Sequence, residues 1–179
     1  TTMGSGWARK DGHIIGVAVA VTGNQWYFPI RHENGPNFDP KVTLSWLRDV
    51  CKINRDYVFH NAQYDVGWLL AENVRVKGRL CDTMVVAPLL DENRFSYALN
   101  AIGRDYLQER KSEVDLKEAA EAFGVNAKSE MYKLPAHYVG KYAEQDAALT
   151  LKLWTFFKGL IVKEDISDIV DLELKVLKT

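Results

Sequence analysis

The first regular pattern along the chain is a short β-branched run at residues 13–21, HIIGVAVAV. Such a run predicts a strand. Thr22, Gly23 and Asn24 read as a turn, and residues 25–30 (QWYFPI) as a second strand, so the two form a hairpin. A polar loop with Gly35, Pro36 and Pro40 follows. Asp39 is placed to cap a helix with Pro40 at its first position. Val42, Leu44, Trp46, Leu47 and Val50 give that helix its apolar spacing, to about Ile53. Residues 57–60 (YVFH) predict a short buried strand, and Asn61 a helix cap, with Asp65, Trp68, Leu69 and Leu70 on the helix behind it. Residues 76–81 predict a further strand, ended by Asp82 and Thr83.

After that the pattern is helical. Helices are expected over 84–90, over 97–107, and over 115–123, where Gly124 stops the last. A long helix starts at Pro135 or Ala136 and runs through Leu153 to Phe157, and a last one runs from about Ser167 to the end. A hairpin followed by βα units predicts an α/β fold, a mixed sheet flanked by helices.

Composition narrows the class. The 179 residues are 47% hydrophobic and 26% charged, enough apolar surface for one buried domain and too much for a disordered chain. No stretch approaches the roughly 20 apolar residues of a membrane helix, and no membrane partner is expected. No signal-peptide pattern opens the chain. A net charge of −1 argues against a broad basic coat for gripping duplex DNA. It leaves room for a small nucleic-acid site where metal ions offset phosphate charge. Cys51 and Cys81 stand alone and read as reduced core residues of a cytosolic protein.

Two acidic positions carry the candidate chemistry. Asp65 follows a buried strand at the start of a helix, where ligands of open α/β sheets collect. The same place suits an aspartate that only favours the helix N-terminus electrostatically. Tyr142 and Asp146, at i and i+4, share one helix face with Val139, Leu149 and Leu153. A carboxylate on an apolar face is costly to bury without a partner or a metal. A core tyrosine beside a solvent-edge aspartate accounts for the spacing as well.

Taken together, the segments Asn61-x-x-Tyr64-Asp65, Cys81-Asp82-Thr83-Met84, Tyr142-x-x-x-Asp146 with Ala147 to Leu151 behind it, and Leu172-Glu173-Leu174-Lys175 are similar, in order and spacing, to a known set. The chain resembles the 3′–5′ exonuclease (proofreading) domain of family A DNA polymerases, the DEDDy type of the DnaQ-like, RNase H-like superfamily. The resemblance implies an RNase H-like mixed β-sheet flanked by helices. It implies Asp65 and Asp146 as ligands of Mg²⁺ or Mn²⁺ in a two-metal site, since hard cations take oxygen ligands. Tyr142 would orient the attacking water. Asn61 and Tyr64 would contact the 3′ end of single-stranded DNA, an aromatic ring tolerating any base; His60, just before Asn61, reads as a substrate contact near the scissile phosphate or as a buried strand-end histidine.

The family's first motif, Asp-x-Glu on a first, central strand, has no counterpart ahead of the hairpin, where Asp11 is the sole acid. Asp171-Leu172-Glu173 lies after the third motif and reads as a solvated helix face. Residues 1–165 are therefore expected to be an N-terminally incomplete exonuclease domain without its central strand. Residues 166–179 would begin the connection to a polymerase module in the same parent chain, a cytoplasmic replication protein of bacterial or viral type. The competing readings are a non-catalytic single-stranded DNA-binding or architectural domain, and an RNA-trimming exonuclease of the same superfamily.

Four smaller features remain. Arg75, Lys77 and Arg79 alternate on a strand-like stretch, as a phosphate row or a charged edge. Arg104, Arg110 and Lys111 read as a solvated helix end. Phe95 and Tyr97 are placed to stack on a base. Trp7, Trp26, Trp46, Trp68 and Trp154 share no spacing and read as packing.

Overall fold

The computed structural model describes residues 2–3, 12–109 and 114–177. Trp7, Asp11, Arg110 and Lys111 lie outside the described residues. Strand β1 (Thr2–Met3) pairs antiparallel with β2 (His13–Ile14). The hairpin forms as β3 (Gly16–Val21) and β4 (Asn24–Pro29), joined by a tight turn with Gly23 at φ 86. The expected strand over 13–21 is thus broken at Ile15. The residues on its two sides pair with different partners, and the fully buried Ile15 accepts hydrogen bonds from the amides of Ile30 and Arg31.

Helix α1 (Pro40–Cys51) begins where the Asp39 side chain accepts from the Val42 amide at 2.9 Å. Strand β5 (Asp56–Phe59), α2 (Ala62–Ala71) and β6 (Arg79–Asp82) make one parallel β-α-β unit, Asp56 opposite Arg79 and Phe59 opposite Asp82. Strand β6 starts at Arg79, later than its pattern predicts. Val74 is drawn fully inside, and the Lys77 amide turns to the Cys51 carbonyl. Arg75 and Lys77 therefore lie on irregular chain and share no strand face with Arg79, which pairs with Asp171. Then come α3 (Thr83–Leu90), α4 (Leu99–Leu107), α5 (Val114–Ala122), a 3₁₀ turn at Met131–Lys133, α6 (Ala136–Lys163) and α7 (Ser167–Val176). Helix α6 continues past Phe157 because Phe157 and Ile161 extend its buried stripe.

The described strands form three two-stranded ladders, β1 with β2, β3 with β4 and β5 with β6, the first two antiparallel and the last parallel. Among the described residues no strand joins β3 and β4 to β5 and β6. Helix α6 packs against β3, β4 and β5 and bridges the hairpin and the parallel pair. A first core cluster gathers Val86, Ile102, Leu153 and Phe157 with Val170 and Leu174 of α7. A second joins Ile15 to Leu116, Leu134 and Val139. A third holds Ile14, Ile30, Leu44, Leu47, Trp68 and Val74. No helix is long and apolar enough to cross a membrane, among the described residues.

The start of α6 is tied to the hairpin. The His32 ring bridges the two, its Nδ1 donating to the Leu134 carbonyl at 3.0 Å and its Nε2 accepting from the Tyr27 hydroxyl at 2.7 Å. Tyr27 lies between Gly16 on β3 and Gly140 on α6. A Cβ at Gly16 would overlap the Tyr27 ring, and one at Gly140 would come to 3.0 Å from it. Gly16 leaves no room for a side chain, while at Gly140 the ring would have to give by a few tenths of an ångström.

Candidate active site

The parallel strands β5 and β6 end together, Phe59 opposite Asp82, and helices α2 and α3 leave from that edge. The chain turns out of β5 through His60 and Asn61. Asn61 is left-handed, φ 71 and ψ 62, a conformation that asparagine tolerates better than other non-glycine residues. It occupies the cap position of α2 as expected, but its side chain makes no cap bond. That work falls to Asp82 at the end of β6. The Asp82 Oδ1 accepts from the Asn61 amide at 3.0 Å and the Met84 amide at 2.8 Å, and its Oδ2 from the Ala62 amide at 2.6 Å. Asp82 is 1% exposed. Beside it, the Thr83 hydroxyl donates to the Phe59 carbonyl at 3.2 Å. With its one hydrogen so used, Thr83 Oγ1 accepts from His60 Nδ1 at 2.9 Å, which makes Nε2 the acceptor of the neutral ring.

Asp65 stands in the first turn of α2, where a helix N-terminus favours negative charge. Burial nevertheless pushes its carboxyl up, to about 6, and the carboxylates of Asp82 and Asp146 push the same way. Asp146 lies on α6, which packs against β5. Three acidic residues from α2, β6 and α6 therefore share one electrostatic environment. Tyr64, next to Asp65, is 52% exposed, with its ring edge-on to buried Trp68 at 6.2 Å between centroids. Tyr142, one turn before Asp146, packs against the second core cluster. It lines a cavity of about 130 Å³ with Asp115, Leu116, Tyr138, Lys141 and Gln145.

Asn61, Tyr64 and Asp65 follow one another on one turn, with His60 latched beside them. Asp146 is electrostatically coupled to Asp65 from α6. Asp82 carries no role in the sequence reading beyond its motif, yet it is the most buried acid here. An aspartate at a strand end before a helix start was the available signal; what it would reach across to was not readable. Phe95 is fully exposed in the loop after α3, whereas Tyr97 bonds the Asp91 carbonyl at 3.0 Å and packs on the first core cluster. Arg104 pairs with Asp105. Among the described residues no group of three or more His, Cys, Asp or Glu side chains converges as a metal site. Asp65 and Asp146 contribute oxygen donors and excess negative charge, both of which suit a hard divalent cation; the oxygens of Asp82 are taken by three amides.

A family model described as 3′-5′ exonuclease, of DNA polymerase A, matches residues 2–161. A DNA-directed DNA polymerase of Pseudomonas phage M6 is 34% identical over 181 residues, covering 98% of this chain and 27% of that protein. DNA polymerase DpoZ of Salmonella phage PMBT28 is 30% identical over 182 residues, covering 98% of this chain and 28% of its own length. The chain thus spans little more than a quarter of these relatives. A solved structure described as the apo form of the nuclease superposes with a TM-score of 0.72 at 14% identity, over 99% of this chain and 78% of the other. That likeness shows the fold, an RNase H-like α/β architecture.

Proposed function

From the premise that this chain belongs to the 3′–5′ exonuclease domain family of DNA polymerases, we propose that it is the proofreading part of a longer polymerase and removes 3′-terminal nucleotides from single-stranded DNA. The observation that carries the reading is the Asp65 carboxyl at the start of α2, behind the carboxyl ends of β5 and β6, raised by burial and by the charges of Asp82 and Asp146. Asp65 and Asp146 would hold Mg²⁺ or Mn²⁺ with donors beyond these two, and the bound ion supplies Lewis-acid polarisation of the scissile phosphodiester. The side chains do the rest. The exposed Tyr64 ring stacks on a terminal base without regard to its identity. Asn61 and His60 meet the terminal nucleotide with polar groups. The Tyr142 hydroxyl, both donor and acceptor, orients the attacking water. Residues 1–165 form the exonuclease domain, 166–179 lead to the polymerase module of the same parent chain, and the setting is cytoplasmic replication.

The test is incubation of the chain with Mn²⁺ and a 5′-labelled single-stranded oligonucleotide, followed on a sequencing gel. The expected result is a ladder shortening from the 3′ end, lost in Asp65→Ala and Asp146→Ala. Shortening that survives both substitutions sinks the site assignment. One observation favours a second reading, in which the domain holds single-stranded DNA without cutting it. Among the described residues no three His, Cys, Asp or Glu side chains gather as a metal site, and the Asp82 oxygens accept from three amides. An oligonucleotide retained but left intact selects that reading. Running the same assay with RNA separates DNA proofreading from RNA trimming, which turns on contacts to the 2′-hydroxyl.

A further inference from the structure

We propose that Asp82 is a positioning residue, whose carboxylate holds the left-handed turn at Asn61 and so sets where Asn61, Tyr64 and Asp65 stand at the strand ends. The functional consequence rests on the exonuclease reading above; the geometry does not.

Amides at a helix start have no intrahelical acceptor. For α2 the usual remedy, the cap side chain, is not used: Asn61 makes no cap bond. The Asn61 and Ala62 amides instead point at the two oxygens of Asp82, a residue of the neighbouring strand. One of those oxygens also caps α3 through the Met84 amide. A buried carboxylate is stable only when hydrogen bonds replace its water, and three amides do so here. Its position is also fixed from outside, because Asp82 lies in β6 opposite Phe59 and Thr83 ties back to the Phe59 carbonyl. The turn that carries Asn61, Tyr64 and Asp65 is therefore set by the parallel register of β5 and β6 and transmitted through one side chain.

This makes a chemical demand that plain capping does not. Serine and asparagine cap a helix about as well as aspartate does. If Asp82 served α3 alone, either would replace it. Serine is too short to cross to α2. Asparagine keeps one acceptor oxygen but turns an NH₂ group toward an amide that needs an acceptor. The role assigned here thus ranks Asp82 above Asn and Asn above Ser at this position.

The test combines amide hydrogen exchange with the affinity of the chain for a 5′-labelled oligothymidylate, in the unsubstituted protein, Asp82→Asn and Asp82→Ser. In the unsubstituted protein the Asn61 and Ala62 amides are expected to be protected, although a first helical turn ordinarily exchanges fast. Asp82→Ser should speed exchange at both by about tenfold or more while leaving Met84 protected. Oligonucleotide affinity should fall in the order Asp, Asn, Ser. Fast exchange at Ala62 in the unsubstituted protein overturns the proposal without any variant having to fold. Unchanged exchange in Asp82→Ser also overturns it. So does faster exchange with unchanged affinity, because Asp82 would then be structural only. If the unsubstituted chain retains no oligonucleotide, the exonuclease reading fails instead, and the exchange comparison still decides whether Asp82 holds the turn.

Discussion

At Asp65 burial works against a negative charge. Its carboxyl is raised to about 6, by burial first and by Asp82 and Asp146 after that, against about 3.9 for an ordinary aspartate. The folded state therefore takes up this proton before the unfolded state does. The Asp65 contribution to stability grows as pH falls from above 6 toward about 4, and is flat beyond both ends. Metal-free Asp65→Asn is accordingly expected to melt above the unsubstituted protein at pH 7 and to lose that advantage near pH 4, as thermal unfolding across the range would show. Gly16 makes the opposite kind of demand. Gly16→Ala drives a methyl group into the Tyr27 ring and should cost about 1–3 kcal/mol in denaturant unfolding. The aspartate was legible in the sequence because its motif neighbours stood around it. The glycine was not, because what crowds it is a ring from the adjacent strand.

Elements set the placing of α6, which carries both Tyr142 and Asp146. The long apolar stripe and Pro135 make the helix and its start readable, whereas the bridge from Tyr27 through His32 to Leu134 ties that start to the hairpin. His32 is 5% exposed, and burial lowers its pKa, partly countered by its bond to the Leu134 carbonyl. A depressed histidine stabilises the fold above its unfolded pKa, about 6.5, and that stability is lost as pH falls below it. This opposes the Asp65 effect over part of the same range. With Asp65→Asn in place, the melting temperature should fall as pH is lowered from about 7 to 5, and replacing His32 by asparagine should flatten that fall. Removing the Tyr27 hydroxyl with Tyr27→Phe should cost about 1 kcal/mol at neutral pH. In the stripe itself, Leu153 is fully buried; Leu153→Ala should cost about 2–5 kcal/mol. The helix at 84–90 shows the same division. Its apolar residues announced it, whereas Asp82, which caps it and also serves α2, reads from the sequence only as the end of a strand.

Across the whole molecule, the hairpin and the parallel pair are held together through α6. Pairing parity in the hairpin follows from the bond between Ile30 and Ile15. It turns the amides of Val17 and Val19 toward β4, and those of Ala18 and Ala20 toward the opposite edge, where no described strand lies. Hydrogen exchange should therefore be slower at Val17 and Val19 than at Ala18 and Ala20. A longer form of the chain that lays a strand along this edge should protect the two alanines. Equal protection of all four in the present chain would show the edge to be covered already. Helix α7, whose segment resembles an entry into a polymerase module, buries Val170 and Leu174 in the first core cluster while Ile169, Leu172 and Val176 remain exposed.

The kinds of elements, their order and the acidic motif positions Asp65, Asp82 and Asp146 were legible in the chain alone. Each is written in local signals: β-branched runs, helical spacing, turn residues and a few acids at characteristic intervals. Only the tertiary structure decided where strands stop, as at Ile15 and Arg79, because a strand's extent depends on which partner pairs with it. It also decided that Asp82 serves two helices, that Tyr27 occupies a slot between two glycines, and that Asp146 raises the proton affinity of Asp65. Those outcomes depend on distances between residues far apart in the chain, and such distances exist only once the backbone has closed on itself.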